Sequence, residues 1–509
     1  MNTEKTPRLE AFALGVIAVC IGIFVGELTS NRSSAWKSPI DSLGSWIISV
    51  IPRFLESFAI KLFGTHDKSV LVSIILVVAL LLGGLAGEYL RQKKSGIAYS
   101  IVALETLFGA LTVIARPHSG VFAVVPALMS GISTALVLYF ALGRVKIETT
   151  QKNSSTQLSS RRQVLMFAGG AGVLGALMLI SGQKVKTHGL NAIKRLAIKL
   201  PAATQPLPPP PVDPALQITG LSPLITSNDQ FYRIDTAINV PIIDAETWSL
   251  SINGMVKNSI TLNYADLLNR PMFELDDTMS CVSNPVGGPL IGNARWLGCR
   301  LDDLIKEAGP LSNADQILSS SGDGFGAGFP LNLLDGRDAM IAIGMNGQLL
   351  PIEHGFPARV IVPGLYGYVS ATKWLTNIEL TRFDVKQGFW ISRGWSELGP
   401  IKMESRIDYP NNGAAIPTGK FTFAGVAWAP LSGIDSVQVS IDGTWKDATL
   451  GPALSGTTWR QWWLDWDATS GKHEIQVRAV GVSGEVQTQD VADVAPNGAS
   501  GWHTIKISA

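Results

Sequence analysis

Met279-Ser-Cys281-Val-Ser-Asn284-Pro-Val-Gly287-Gly288-Pro-Leu-Ile-Gly292-Asn293-Ala-Arg295-Trp296-Leu-Gly298 is the stretch on which the reading of this chain turns. One cysteine stands in polar, glycine-rich surroundings with a tryptophan and an arginine close by. A lone cysteine is more often plain core packing, and Cys299 offers a disulfide partner in an oxidising compartment. The polar setting instead suits a thiolate ligand beside an anionic cofactor. Cys20, Cys281 and Cys299 are the only cysteines and form no CxxC pair. Neither a disulfide framework nor a zinc or iron–sulfur site is expected from them.

Outward from this stretch, the composition divides the chain. Of its 509 residues 46% are hydrophobic and 16% charged, with 41 Lys+Arg against 40 Asp+Glu. That balance gives no general basic surface, so nucleic acid is excluded as a partner. The charge deficit lies before residue 183. Ala11–Gly26, Ser69–Gly87, Val121–Gly143 and Val164–Gly182 are uncharged apolar runs, and Ser95–Ala115 is broken only by Glu105. Roughly 17–25 apolar residues span a bilayer, so five transmembrane helices are expected over residues 1–182. Ser42–Gly64 repeats Ile47, Ile51, Leu55, Phe58 and Leu62 at helical spacing, with Arg53, Glu56 and Lys61 opposite. It reads as a helix lying in the interface. Arg91, Lys93 and Lys94 mark one cytoplasmic loop; Arg144, Lys146, Lys152, Arg161 and Arg162 mark another. The positive-inside rule then puts the N-terminus in the cytoplasm and the chain beyond the fifth helix outside. The expected location is the cytoplasmic membrane, multi-pass, among lipid.

Other motifs in this half are weaker. Ser160-Arg161-Arg162-Gln163-Val164-Leu165 resembles a twin-arginine export signal, or is an ordinary positive-inside pair. Gly170, Gly172 and Gly175 form a GxGxxG with no preceding strand, better explained as small residues for helix packing, as are Gly83 and Gly87. Glu105 is a functional candidate by its depth in the membrane, or a neutral carboxyl hydrogen-bonded between helices. No histidine falls in a span, so no haem is expected.

Residues 183–214 form a basic and Pro-rich linker ending in an extended spacer. Short β-rich runs then follow, with Leu301–Ala308 the clearest helix. From about Ile401 the pattern is purely strand-like. Phe421–Val426, Ser436–Ile441, Gln461–Trp466 and Glu474–Ala479 are separated by turns such as Asp442-Gly443 and Ser470-Gly471, which suggests a β-sandwich.

The cysteine stretch resembles the molybdenum-binding loop of the sulfite oxidase family: Cys, then Asn, a glycine pair and Ile-Gly-x-Ala-x-Trp-x-Gly. Further stretches match in order. Phe231-Tyr232-Arg233-Ile234-Asp235 resembles the early pterin-contacting strand. His354-Gly355-Phe356-Pro357-Ala358-Arg359 resembles the His-Gly-x-Pro-x-Arg segment, and Ala371-Thr372-Lys373-Trp374 the closing Lys-Trp motif. Ser405-Arg406-Ile407, Gly425-Val-Ala427-Trp428 and Gly501-Trp502-His503 are similar to the family's Ig-like domain. The resemblance implies a multi-domain chain. The five-helix region would be followed by an α+β molybdopterin domain over 215–395 and an Ig-like, dimerisation-type sandwich over 396–509. It implies a molybdenum–molybdopterin cofactor with Cys281 as the metal's thiolate. Tyr232, Arg233, Asp235, Asp323, His354, Arg359, Thr372 and Lys373 would contact the cofactor, with Arg233 also at the catalytic centre.

The implied reaction is oxygen-atom transfer outside the membrane on an oxo-anion or a sulfoxide, with a separate electron-transfer partner or quinone and a homodimer. Departures bear on the substrate. Pro285 and Val286 stand where animal sulfite oxidases carry two arginines, Ile343 stands for their active-site tyrosine, and Asp235 replaces a histidine. Losing these groups weakens recognition of a small dianion, leaving Arg233 and Arg295 as anion contacts. Sulfite oxidation, a sulfoxide reductase of the same fold, and a metal-free surface receptor or scaffold therefore stand as separate expectations.

Overall fold

A computed structural model describes residues 8–30, 32, 36, 38–52, 55, 62–63, 67–115, 120–140, 194–195, 197–211 and 213–509. The chain forms two compact units: Met1–Ile193 with Thr236–Asn239, and Lys194–Asp235 with Val240–Ala509.

The first unit is helical: α1 (Arg8–Ser30), α2 (Pro39–Val50), α3 (Asp67–Arg91), α4 (Ser95–Ile114) and α5 (Val125–Leu138), the last entered through a 3-10 turn at Val121–Val124. Counting that turn with α5, four helices are long and apolar enough to cross a membrane. The count among the described residues is thus four rather than the expected five. The fifth run, Val164–Gly182, lies outside the described residues, as do the twin-arginine-like segment and the GxGxxG. Glycines let helix backbones touch. A Cβ on Gly15 would sit 2.0 Å from Gly83 O, and one on Gly87 2.1 Å from Ala11 O, so α1 and α3 meet backbone to backbone as the small residues imply.

The amphipathic stretch from Ser42 is not one helix. Ser38 Oγ accepts from Asp41 N at 3.1 Å to start α2, but Ile51 turns extended at φ −65°, ψ 134°. Pro52 follows, and its ring disfavours helical geometry at the residue before it.

The second unit holds two sheets and a sandwich. In chain order its first strands are β1 (Ser249–Gly254), β2 (Ile260–Asn263), β3 (Met272–Ser280), β4 (Ile291–Arg300) and β5 (Gln316–Ser321). They continue as β6 (Gly326–Pro330), β7 (Met340–Met345), β8 (Gln348–Leu349), β9 (Arg359–Ile361) and β10 (Leu375–Thr381). One sheet runs β2-β1-β10-β5-β6, with β1 and β10 parallel; the other runs β3-β4-β7-β8, with β9 also on β7. Three short helices connect them: α6 (Tyr264–Leu268), α7 (Leu301–Ala308) and α8 (Gly367–Ser370). α7 has the bounds expected from sequence: Asp302 and Asp303 favour its positive N-terminal end, and Gly309 at φ +66° closes it.

The C-terminal strands are β11 (Glu404–Tyr409), β12 (Gly419–Trp428), β13 (Ile434–Ile441), β14 (Thr444–Asp447), β15 (Thr449–Leu450), β16 (Arg460–Ala468), β17 (Lys472–Gly481) and β18 (His503–Ser508). They form two four-stranded antiparallel sheets, β11-β12-β16-β15 and β14-β13-β17-β18. Each of the four strands read from sequence falls inside one of these. Asp442-Gly443, both at positive φ, makes the two-residue turn of the β13–β14 hairpin. Phe423, Val437, Val439, Trp462, Ile475 and Val477 fill the space between the sheets. Val426, Trp428 and Trp459 instead join the core of the preceding sheets, along with Trp296, Met340 and Ile378.

Candidate functional site

β3 and β4 are buried along nearly their whole length and joined by the loop Cys281–Leu290, so the strand pair delivers Cys281 to a fixed place. Cys281 N donates to Leu290 O at 2.9 Å, closing the loop across its base. Asn284 is the internal brace: its N donates to Cys281 O at 3.0 Å and its Oδ1 accepts from Leu290 N at 2.8 Å. Gly287 has φ +74°, and a Cβ there would lie 2.3 Å from the His503 ring. Only glycine admits that approach. Arg406 Nη1 donates to Gly288 O at 2.7 Å, so β11 holds the far side of the loop. Both Cys281 and Cys299 are free thiols, so the disulfide reading fails. Burial pushes the Cys281 thiol up, against hydrogen bonds with Ser283.

The other residues singled out by sequence gather in the same unit. Lys373 Nζ donates to Asp235 Oδ2 at 2.7 Å and to Glu353 O at 3.2 Å, and Arg233 Nε donates to the same Asp235 oxygen at 2.9 Å. Burial pulls the Lys373 ammonium down to about 8, although Asp235 works to keep its charge. His354 Nε2 contacts Asn228 O at 2.8 Å, which requires the proton on that nitrogen. Burial drops the ring to about 4. His354 is therefore neutral and offers no charge to an anion. Positive charge here comes from Arg233, Arg359 and Lys373.

Arg359 is buried over the Trp296 ring, 5.0 Å from its centroid, with Nη1 donating to His354 O at 3.1 Å. Burial lowers it to about 10, opposed by Tyr232 and Asp277. Burial also raises the Tyr232 hydroxyl well above its ordinary range, with Cys281, Arg359 and Asp277 all acting on it. Thr372 Oγ1 lies 2.7 Å from Ser319 Oγ, both buried. Asp323 accepts from Phe325 N at 3.1 Å in the β5–β6 turn, where neighbouring Gly322 N donates to Trp374 O. The turn role of Asp323 is thus visible, beside the Lys373–Trp374 stretch.

Arg295 is already spoken for: it makes a two-pronged pair with Asp276, at 2.8 Å on each prong. It is not a free anion contact. Ile343 is buried in β7. Sequence reading missed Asp277, Tyr366, Glu404, Arg406 and His503. Asp277 and Glu404 are buried carboxyls that burial raises to about 7 and about 8. Tyr366 is acted on by both Cys281 and Glu404. The sequence Met272–Ser280 mixes polar and apolar residues and gives no signal that Asp277 is buried.

Several buried polar atoms of these strands and of the Cys281 loop lack partners. Asp277 Oδ1, Asn284 Nδ2, Trp296 Nε1 and Arg359 Nε have none. Buried polar groups normally find a partner, so a site with four such atoms calls for a polar ligand.

Residues 237–390 match a family model described as oxidoreductase molybdopterin binding domain. Sulfite oxidase of Gallus gallus is 27% identical over 407 residues, covering 65% of this chain and 87% of that protein. The mitochondrial sulfite oxidase of Homo sapiens is 30% identical over 321 residues, covering 53% and 58%; the chain thus spans little more than half of the human protein. An uncharacterized oxidoreductase of Bacillus subtilis is 29% identical over 198 residues, 39% of this chain and 92% of that one. Among solved structures, the sulfane dehydrogenase SoxCD of Paracoccus pantotrophus aligns with a TM-score of 0.48 at 23% identity, covering 56% of this chain and 81% of that one.

Proposed function

We propose that this chain, which belongs to the sulfite oxidase family of molybdopterin-dependent oxidoreductases, is a membrane-anchored enzyme of extracytoplasmic oxygen-atom transfer. The observation that carries the reading is that Cys281 stands in a loop between two buried strands which, together with that loop and Arg359 over Trp296, carry four unpartnered buried polar atoms. They offer donors and an acceptor to a polar cofactor, so the donor set fits a molybdenum–pterin group. When bound, that group supplies two-electron redox chemistry coupled to oxygen-atom transfer.

The chain's own residues hold and orient it. Cys281 supplies a soft thiolate, suited to such a metal. Asn284 fixes the loop so that the sulfur keeps its direction. Arg233, Arg359 and Lys373 hold anionic oxygens through charge-assisted hydrogen bonds, with Tyr232, Asp235, Asp323, His354 and Thr372 around them. Phe231, Tyr232 and Trp296 form an aromatic wall that excludes water; Phe231 meets Tyr232 at 5.2 Å and Trp296 at 5.8 Å between centroids.

Four apolar helices support anchoring in a membrane; with the apolar run Val164–Gly182 taken as a fifth span, the loop charges put the second unit outside the cytoplasm. The C-terminal sandwich serves as an Ig-like domain through which two chains pair. Electrons leave to a separate partner or to quinone. Sulfite is one substrate reading. The second, a sulfoxide or another neutral oxo compound, is favoured by the charge balance: Arg295 is paired with Asp276, and Arg233 and Lys373 share Asp235.

Elemental and pterin analysis of detergent-purified wild type beside Cys281→Ser tests the function. About one molybdenum per wild-type chain is expected, with the variant inactive toward sulfite and sulfoxide and keeping pterin through its cationic contacts. A wild type holding neither metal nor pterin makes the chain a scaffold. A variant turning over at the wild-type rate removes Cys281 from the chemistry.

A further inference from the structure

A buried carboxyl upstream of Cys281 and a buried guanidinium lie near each other, and no ion pair joins them. Asp277 sits within β3, opposite Ala294, and is 2% exposed; its Oδ1 has no hydrogen-bond partner. Arg359 opens β9 and is 4% exposed; its Nε has none. Each is near enough to act on the other's charge. Side chains alternate along a strand. Asp276 turns to Arg295, so Asp277 points to the opposite face, where Leu275 and Met279 are also buried.

A pair of buried opposite charges is tolerated when the two groups meet or when a third group lies between them. Here they do not meet, and Trp296 Nε1, from the ring beneath Arg359, is also without a partner. A simple anion would satisfy Arg359 and be repelled by Asp277. A metal cation would do the reverse. Water alone would neutralise neither charge. What satisfies both is a flat group with adjacent N–H donors and a carbonyl acceptor on one edge, as on the aminopyrimidinone ring of a pterin.

From this geometry we infer that Asp277 is a cofactor-binding residue, accepting hydrogen bonds from the pterin's N–H edge while Arg359 donates to its oxygen. The inference rests on the function proposed above and adds to it a contact outside every motif that pointed there. Asp277 lies four residues from Cys281, about 13 Å along an extended strand. Metal and pterin edge would thus be held by two points of one strand.

The test compares full-length wild type, Asp277→Asn and Asp277→Leu, purified in detergent, for pterin content and for the rate of pterin release after dilution. Each protein is also made in cells unable to synthesise the cofactor, and its melting temperature is measured. Loss of a hydrogen bond to a charged group corresponds to release about tenfold or more faster. Both variants should show that loss, while the cofactor-free variants melt at or above the wild-type temperature, because an uncompensated buried carboxyl has been removed. Two results overturn the inference: variants that keep wild-type pterin content and release rate, which leaves water between the charges, or cofactor-free variants that melt clearly lower, which makes Asp277 a fold residue. A wild type without pterin overturns the proposed function itself, so the two failures are distinct.

Discussion

Replacing Arg406 by leucine cuts the link between the Cys281 loop and the first sandwich strand, and its cost can be worked from the contacts. Arg406 donates from Nη1 to Gly288 O at 2.7 Å, from Nη2 to Ser222 Oγ at 2.8 Å and from Nε to Asp408 Oδ1 at 2.5 Å. Its side chain is 10% exposed and that of Asp408 is 6% exposed. Leucine keeps much of the packing volume but leaves Asp408 with only Ser222 N, at 3.0 Å, as a partner. Breaking a buried pair from one side costs about 3–5 kcal/mol, mostly as the penalty on the charge left behind. The abandoned Gly288 carbonyl pushes the value toward the upper end. For a unit of this size the melting temperature should fall by about 5–8 °C, read by tryptophan fluorescence in detergent. Removing the second charge as well, in Arg406→Leu/Asp408→Leu, should recover at least half of the loss. Pterin release should quicken in the single variant, because the loop carrying Cys281 loses its outer tie. A single variant melting with the wild type, or a double variant that loses the full sum of both single effects, would refute the reasoning.

Three further outcomes are expected. His473 holds Asp442 Oδ2 at 2.7 Å and Thr469 O at 2.8 Å with its two ring nitrogens, an arrangement that needs both protons and raises its pKa above the ordinary 6.5. Its contribution is complete below pH 6.5 and disappears as pH rises through the folded value. The wild type should therefore lose melting temperature across that window relative to His473→Gln, and parallel pH profiles would contradict this. Gly287→Ala places a Cβ at positive φ and 2.3 Å from the His503 ring; it should cost about 1–3 kcal/mol in melting experiments, with His503→Ala relieving only the steric part, and full relief would show that the backbone is unstrained. Lys373→Met strips Asp235 of a 2.7 Å ion pair and should destabilise by about 3–5 kcal/mol; an unchanged melt would mean that the carboxylate's other partners satisfy it.

What could be read in the sequence was what depends on neighbours along the chain. The apolar runs, the α7 helix between its acidic first turn and Gly309, and the Asp442-Gly443 hairpin are local consequences of side-chain chemistry, and they appear where expected. The Cys281 loop is equally local, closing on itself through Asn284. What stayed hidden depends on register and burial. Nothing in the sequence alone tells that Arg295 and Asp276 lie directly opposite across β3 and β4, so Arg295 reads as a free cation. His354 looks like a charge until its burial is seen, which lowers the ring to about 4. An aspartate within a strand ordinarily reads as facing solvent, and only burial on both faces of β3 turns Asp277 into a site residue. The end of α2 is different: Ile51-Pro52 is a visible stop in the sequence, and it overrides the amphipathic repeat that runs past it.

The sandwich is part of the site rather than an appendage to it. β3 has β4 on one edge; on the other, Thr278 N donates to Thr457 O at 3.1 Å, Trp459 N donates to Thr278 Oγ1 at 2.7 Å, and Thr457 Oγ1 donates to Asp276 O at 2.6 Å. An edge strand without such cover leaves its backbone groups open to any other strand. Here the segment just before β16 covers it, and Trp459 is anchored through Nε1 to Leu224 O at 2.9 Å. The strand that ends at Cys281 is therefore fixed by residues far downstream, and Arg406 fixes the loop beyond it. A single soft ligand can hold a cofactor in one orientation only if its own backbone cannot shift. Clamping β3 from both edges supplies that constraint, and Val426, Trp428 and Trp459 joining the core around Trp296 make the clamp continuous with the fold.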